Sequence, residues 1–172
     1  TSAMLFFVIF GAQVFSAFIN VADLPGQALT WIESLNVSAM GVMSIILLFY
    51  IAFGCVFSAF ALVLLTVPVF FPLVAGLGLD ATFGTTPENV LIWFGIVIVV
   101  VAEIGQITPP IGMNVFVLKA MLPDVKLSTI FKGIIPFFGA DLVRLVLILL
   151  FPATVLALPD YMDQIQLSLI HI

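Results

Sequence analysis

Glu103-Ile104-Gly105-Gln106-Ile107-Thr108-Pro109-Pro110-Ile111-Gly112-Met113-Asn114 lies within the span 89–118, where nearly every other residue is apolar. Two consecutive prolines between two glycines cannot sit in an uninterrupted helix. Each proline lacks an N–H, and the residue before a proline is pushed out of the α region. Gly105 and Gly112 let the chain leave helical geometry and let a ligand approach the backbone. The sequence therefore predicts a broken transmembrane helix, two half-helices joined by an unwound stretch near the membrane midplane. Freed carbonyls, with the side-chain oxygens of Thr108 and Asn114, are hard donors of the kind sodium favours. A half-helix starting near Ile111 would aim its positive N-terminal end at the same region. Gly105, Gln106, Thr108, Pro109, Pro110, Gly112 and Asn114 are thus candidate ion- or substrate-binding residues, with Thr108 and Asn114 as candidate Na+ ligands. A purely structural kink is the alternative, but the polar side chains and flanking glycines exceed what a kink requires.

Outward from this break, composition defines the solvent. Of the 172 residues, 64% are hydrophobic and only 8% are charged, and mean hydropathy is +1.40. A soluble domain carries about 25% charged residues. Lipid must be the main solvent, and the fold expected is an all-α polytopic membrane protein. Residues 1–22 form one uncharged span that Asp23-Leu24-Pro25-Gly26 breaks, followed by a short amphipathic connector with Trp31 and Glu33. The chain begins at Thr1 in apolar sequence and is expected to be a piece of a longer protein. Residues 133–158 form the last span, ending before Pro159-Asp160. The tail 161–172 is set aside, because 167–172 resembles a translated sequencing adapter; the only histidine, His171, lies there.

Residues 34–79 carry no charge. As one helix these 46 residues would extend about 70 Å, more than twice the hydrocarbon thickness. The segment must turn, and the expected turn is Phe53-Gly54-Cys55-Val56-Phe57-Ser58. A loop in cytoplasmic water would more often carry Lys or Arg. A re-entrant helical hairpin whose tip stays at membrane depth is expected, with Gly54 and Ser58 as candidate site residues. Two ordinary spans with a tight apolar turn are the alternative. Pro68 and Pro72 are expected to bend or end the second arm.

The charges orient the chain. Loops around 23–33 and 80–88 hold Asp23, Glu33, Asp80 and Glu88 with no Lys or Arg, whereas 119–132 holds Lys119, Lys126 and Lys132. The positive-inside rule makes 119–132 cytoplasmic and the C-terminus periplasmic. Three charges lie inside apolar spans. Glu103 at that depth is either functional or a structural acid bonded to a neighbouring helix. Asp141 and Arg144, at i and i+3, are expected to pair in a structural role. No Cys/His cluster, Ser-His pair or phosphate loop is present, so an enzyme is not expected. Cys55 is the only cysteine, which excludes an internal disulfide. No basic stripe points to nucleic acid.

The run Glu103 to Val117 closely resembles the E-x-G-x-I-T-P-P-x-G-x-N-x-F-V stretch of the large membrane subunits of TRAP (tripartite ATP-independent periplasmic) transporters. Leu64-Leu65-Thr66-Val67-Pro68-Val69-Phe70-Phe71-Pro72, Leu127 to Gly133, Ala140 to Leu145 and Phe151-Pro152-Ala153 match as well, so the likeness covers nearly all of 1–160. The resemblance implies a permease subunit of the bacterial inner membrane that takes up organic acids, such as C4-dicarboxylates or sialic acids. It implies sodium as the coupling ion, no other cofactor, a small membrane subunit and a periplasmic substrate-binding protein as partners. It also implies an inverted-repeat fold with elevator-like movement, of which this chain would hold the second repeat. Family members usually carry an acidic residue shortly after the Gly-Cys of the hairpin; here Ser58 stands in that place. A divalent-anion/sodium symporter relative without a binding protein, and a non-transporting membrane scaffold, are the competing readings.

Overall fold

The computed structural model of the protein describes residues 2–108 and 112–170. Among them the chain is all-helical: α1 Ser2–Val21, α2 Leu24–Ser34, α3 Ala39–Gly54, α4 Ala59–Ala75, α5 Leu79–Phe83, α6 Pro87–Ile107, α7 Met113–Met121, α8 Leu127–Leu150 and α9 Ala153–Ile170. Several starts are written in the sequence. Ser38, Ser58 and Thr86 sit in extended backbone, and their side chains accept from the amides of Gly41, Ala61 and Asn89. Each supplies one of the acceptors that a helix N-terminus lacks. Asp23 takes a left-handed conformation (φ 49°) between α1 and α2, and the two helices meet at 55°.

α6 is the centre of the molecule. It touches α3, α4, α5, α7, α8 and α9. Its Trp93, Phe94, Val97, Val101, Ala102 and Ile104 are fully buried. Over its most apolar window 56% of α6 is buried within the chain, against 11% for α8, so α8 turns most of its surface outward. Against α6 lies a stripe of α3, namely Met43, Ile46, Leu47 and Tyr50, at the helical spacing that builds one apolar face. Among the described residues two helices, α6 and α8, are long and apolar enough to cross a membrane, or three spans if bent α1/α2 is one.

The uncharged run 34–79 turns at residues 55–58, and its arms pack side by side. The Tyr50 hydroxyl pairs with Thr66 Oγ1 across the arms. Thr66 itself donates to the Leu62 carbonyl at 2.7 Å, so Tyr50 is the donor in the pair. Phe49 meets Phe70 edge-on at 5.4 Å. The arms have 16 and 17 residues, roughly 24–26 Å at 1.5 Å per residue, short of a hydrocarbon core of about 30 Å.

Three boundaries differ from the sequence reading. α4 does not end at Pro68 or Pro72 but continues past both to Ala75. A proline removes only its own donor, and α1, α2 and α6 hold the rest of the helix in place. The carbonyls of Leu64 and Pro68 lose those donors. Leu64 and Pro68 line a groove against α1 that also holds Gln13 and Ser16. The expected last span, 133–158, is instead α8, which starts at Leu127 and ends at Leu150, then α9, which passes through Pro159. The break is at Phe151 (φ −127°, ψ 74°), the residue before Pro152, which proline sterics push out of the α region. Finally, the arms of the broken span are unequal, 21 residues in α6 and 9 in α7. Thr86 caps α6 early, so the break falls at the end of a helix already long enough to span.

Candidate functional site: the hairpin tip on the end of α6

Gly54 ends α3 and Gly105 lies in the last turn of α6; both are buried. A Cβ on Gly105 would stand 2.7 Å from the Gly54 Cα, and one on Gly54 would stand 3.0 Å from the Gly105 Cα. The two backbones are in direct contact, which brings the hairpin tip onto the helix just before its break. Ser58 lies beyond that contact as the N-cap of α4. Its hydroxyl accepts from the Ala61 amide at 3.3 Å, as an N-cap side chain does.

Carbonyl accounting shows what the end of α6 offers. Thr108 is extended (φ −79°, ψ 131°), and its amide reaches back to the Gly105 carbonyl. Its hydroxyl donates to the Ile104 carbonyl at 2.6 Å. The Gln106 carbonyl would next look to residue 110, a proline without an N–H. Gly112 follows in a left-handed conformation (φ 54°). A Cβ there would sit 3.2 Å from the Gln106 carbonyl oxygen and 3.3 Å from that of Thr108. Two backbone oxygens, with the Val115 Cγ2 methyl at 3.0 Å, therefore face the place where the left-handed backbone favours glycine. α7 then begins at Met113, and the Gly112 carbonyl accepts from the amides of Val115 (2.8 Å) and Phe116 (3.3 Å). Such an oxygen-rich break can hold a cation, and the α7 N-terminus adjoins it.

Not every expected residue joins this cluster. Gln106 and Thr108 are half-buried and Gly112 is buried, but Asn114 is exposed. No hydrogen bond links Asn114 or Ser58 to Thr108 among the described residues. Pro109, Pro110 and Ile111 lie outside the described residues, as does His171.

The charged residues form a second cluster. Arg144 on α8 stands 3.1 Å from Asp141 and 3.9 Å from Glu103 on α6. Glu103 thus meets a cation on a neighbouring helix, a pairing that spacing along one helix could not show. The signal available in sequence was only that the three are the charges within apolar spans.

A second long-range link was also illegible. Trp93 Nε1 on α6 donates to the Ile148 carbonyl on α8 at 2.9 Å. Ile148 is four residues before Pro152, so its helix donor is missing, and the indole takes that donor's place.

Apolar helices around one buried central helix, with a short-armed hairpin resting on a helix break, define an all-helical membrane protein. Residues 1–154 match the family model described as tripartite ATP-independent periplasmic transporter, DctM component, and the chain belongs to that family. The chain is 30% identical over 161 residues to the C4-dicarboxylate TRAP transporter large permease protein of Pseudomonas aeruginosa, covering 94% of this chain and 35% of that protein. It is 32% identical over 148 residues to the sialic acid TRAP transporter permease protein of Haemophilus influenzae, covering 86% and 20%. It is 28% identical over 137 residues to the 2,3-diketo-L-gulonate TRAP transporter large permease protein of Escherichia coli, covering 80% and 30%. The chain therefore spans about a third or less of these relatives' length. No solved structure matches it.

Proposed function

We propose that this chain is part of the permease of a sodium-driven carrier for organic acids, fed by a periplasmic binding protein and assembled with a small membrane subunit. The observation that carries the reading is the convergence of the Gln106 and Thr108 carbonyl oxygens beside Gly112, with the hairpin tip packed on Gly105 one turn before. Backbone oxygens at a helix break suit Na+, and the N-terminal end of α7 suits a carboxylate, so ion and substrate would sit side by side and bind cooperatively. The substrate class rests on the relatives' names, which specify the carboxylates C4-dicarboxylate, sialic acid and 2,3-diketo-L-gulonate and also isethionate, a sulfonate, so the class is organic-acid anions with carboxylates foremost. The hairpin enters from the periplasmic side without crossing the bilayer, and 119–132 with its three lysines faces the cytoplasm of a bacterial inner membrane.

The test is uptake against sodium concentration, using the complete transporter and its binding protein in vesicles. Thr108→Ala removes the hydroxyl and should raise the sodium concentration needed for half-maximal uptake, with insertion unchanged. Asn114→Ala should do the same if the exposed amide swings to the ion when the transporter loads. The parent's sodium dependence in both variants would leave the Thr-Pro-Pro stretch as a kink that only shapes the fold.

A further inference from the structure

A groove of about 320 Å³ runs between the second hairpin arm and α6, lined by Ala59, Phe60, Val63, Leu64, Val99, Ala102 and Glu103. All but Glu103 are apolar. Phe60 is 47% exposed, Val99 49% and the Glu103 side chain 62%. A carboxylate this open on a membrane helix cannot face hydrocarbon. Among the described residues its one cationic neighbour is shared, since Arg144 lies closer to Asp141 than to Glu103, and the three charges sum to −1. The groove thus lacks a positive charge and an apolar filling. A Lys or Arg side chain supplies both, with an aliphatic stem along the apolar wall and a cationic head at the carboxylate.

The chain spans 35% of its Pseudomonas relative, so about two thirds of a comparable permease polypeptide lies outside it. We infer that this groove is the docking surface for that remaining part of the same polypeptide, which places a Lys or Arg side chain along it against Glu103. By contrast, the outer face of α1, with Phe6, Phe7, Phe10 and Phe18 exposed and no charge, suits lipid. The groove adjoins the α6 break, since the carbonyl of Ala102 lies 3.4 Å from a Cβ built on Gly54, but the docking concerns assembly, and uptake does not enter its test.

The experiment uses the full-length permease in native membranes, with a protease site at the junction between residues 1–172 and the remaining polypeptide and a photo-crosslinking amino acid at Val99, at Phe60 or, as the lipid-facing control, at Phe10. After irradiation and cleavage, Val99 and Phe60 should each hold the two fragments together on a denaturing gel, and Phe10 should not. Lipid adducts at Val99 and Phe60, including adducts of an amine-headed lipid, would overturn the inference. The charge is tested by Glu103→Lys, which should reduce the assembled permease, while Glu103→Gln retains more of it. Second-site suppressors of Glu103→Lys should replace a Lys or Arg outside this chain; suppressors confined to Asp141 and Arg144 would overturn the cationic partner. Because crosslinking leaves Glu103 unchanged, a poorly folded charge variant does not decide the outcome.

Discussion

A methyl group at position 105 would collide with backbone, not with a side chain that could turn away. The nearest atoms to it would be the Cα and carbonyl carbon of Gly54, at 2.7 and 2.9 Å. Gly105→Ala should therefore lower the stability of the purified permease by about 1–3 kcal/mol, as overpacking does, read as a drop in the thermal midpoint. Gly95 on the same helix has nothing within 4 Å, so Gly95→Ala should be neutral or stabilising by up to about 1 kcal/mol. Equal losses in both would show that the Gly54–Gly105 contact does not hold the tip. The charges give a second expectation. Arg144 serves both Asp141 and Glu103, so Arg144→Gln should reduce folded permease more than Asp141→Asn, measured by size-exclusion chromatography. Exchanging both charges, Asp141→Arg with Arg144→Asp, should recover only part of the loss, because the new carboxylate would face Glu103. At this scale the sequence was half legible. Asp141 and Arg144 declare their pairing by spacing on one helix, whereas Glu103 depends on how two helices are packed.

Among the elements, the breaks were more legible than their consequences. Asp23-Leu24-Pro25-Gly26 stops α1 for reasons local to those residues, and a run as long as 34–79 has to turn somewhere. Proline was read less well, because its cost depends on where the freed carbonyl goes. At Pro68 and Pro72 the helix continues; at Pro152 it stops, and the Ile148 carbonyl is taken by Trp93. That substitution of donors is testable. Trp93→Phe keeps the ring but leaves the carbonyl without its donor, which should cost about 1–3 kcal/mol. Pro152→Ala restores an N–H four residues after Ile148, so adding it to Trp93→Phe should return much of the lost thermal stability. If Trp93→Phe unfolds at the parent's temperature, the indole bond does not contribute.

For the whole molecule, the length of the hairpin arms bears on how deep the hairpin reaches. Arms of 16 and 17 residues favour a tip that stays within the bilayer. Ser58→Cys, in a background without Cys55, should resist an impermeant thiol reagent from the cytoplasm; strong cytoplasmic-only labelling in every transport state would mean that the arms cross. The uncharged run 34–79 already points to a tip at membrane depth; what sequence does not show is the surface the tip rests on, because Gly105 is encoded well downstream. The order of synthesis gives the contact a further meaning. The ribosome delivers the hairpin first and α6 later, so the Gly54–Gly105 contact cannot form until the α6 glycine has been made, and the tip's seat is completed by a residue that follows it in the chain.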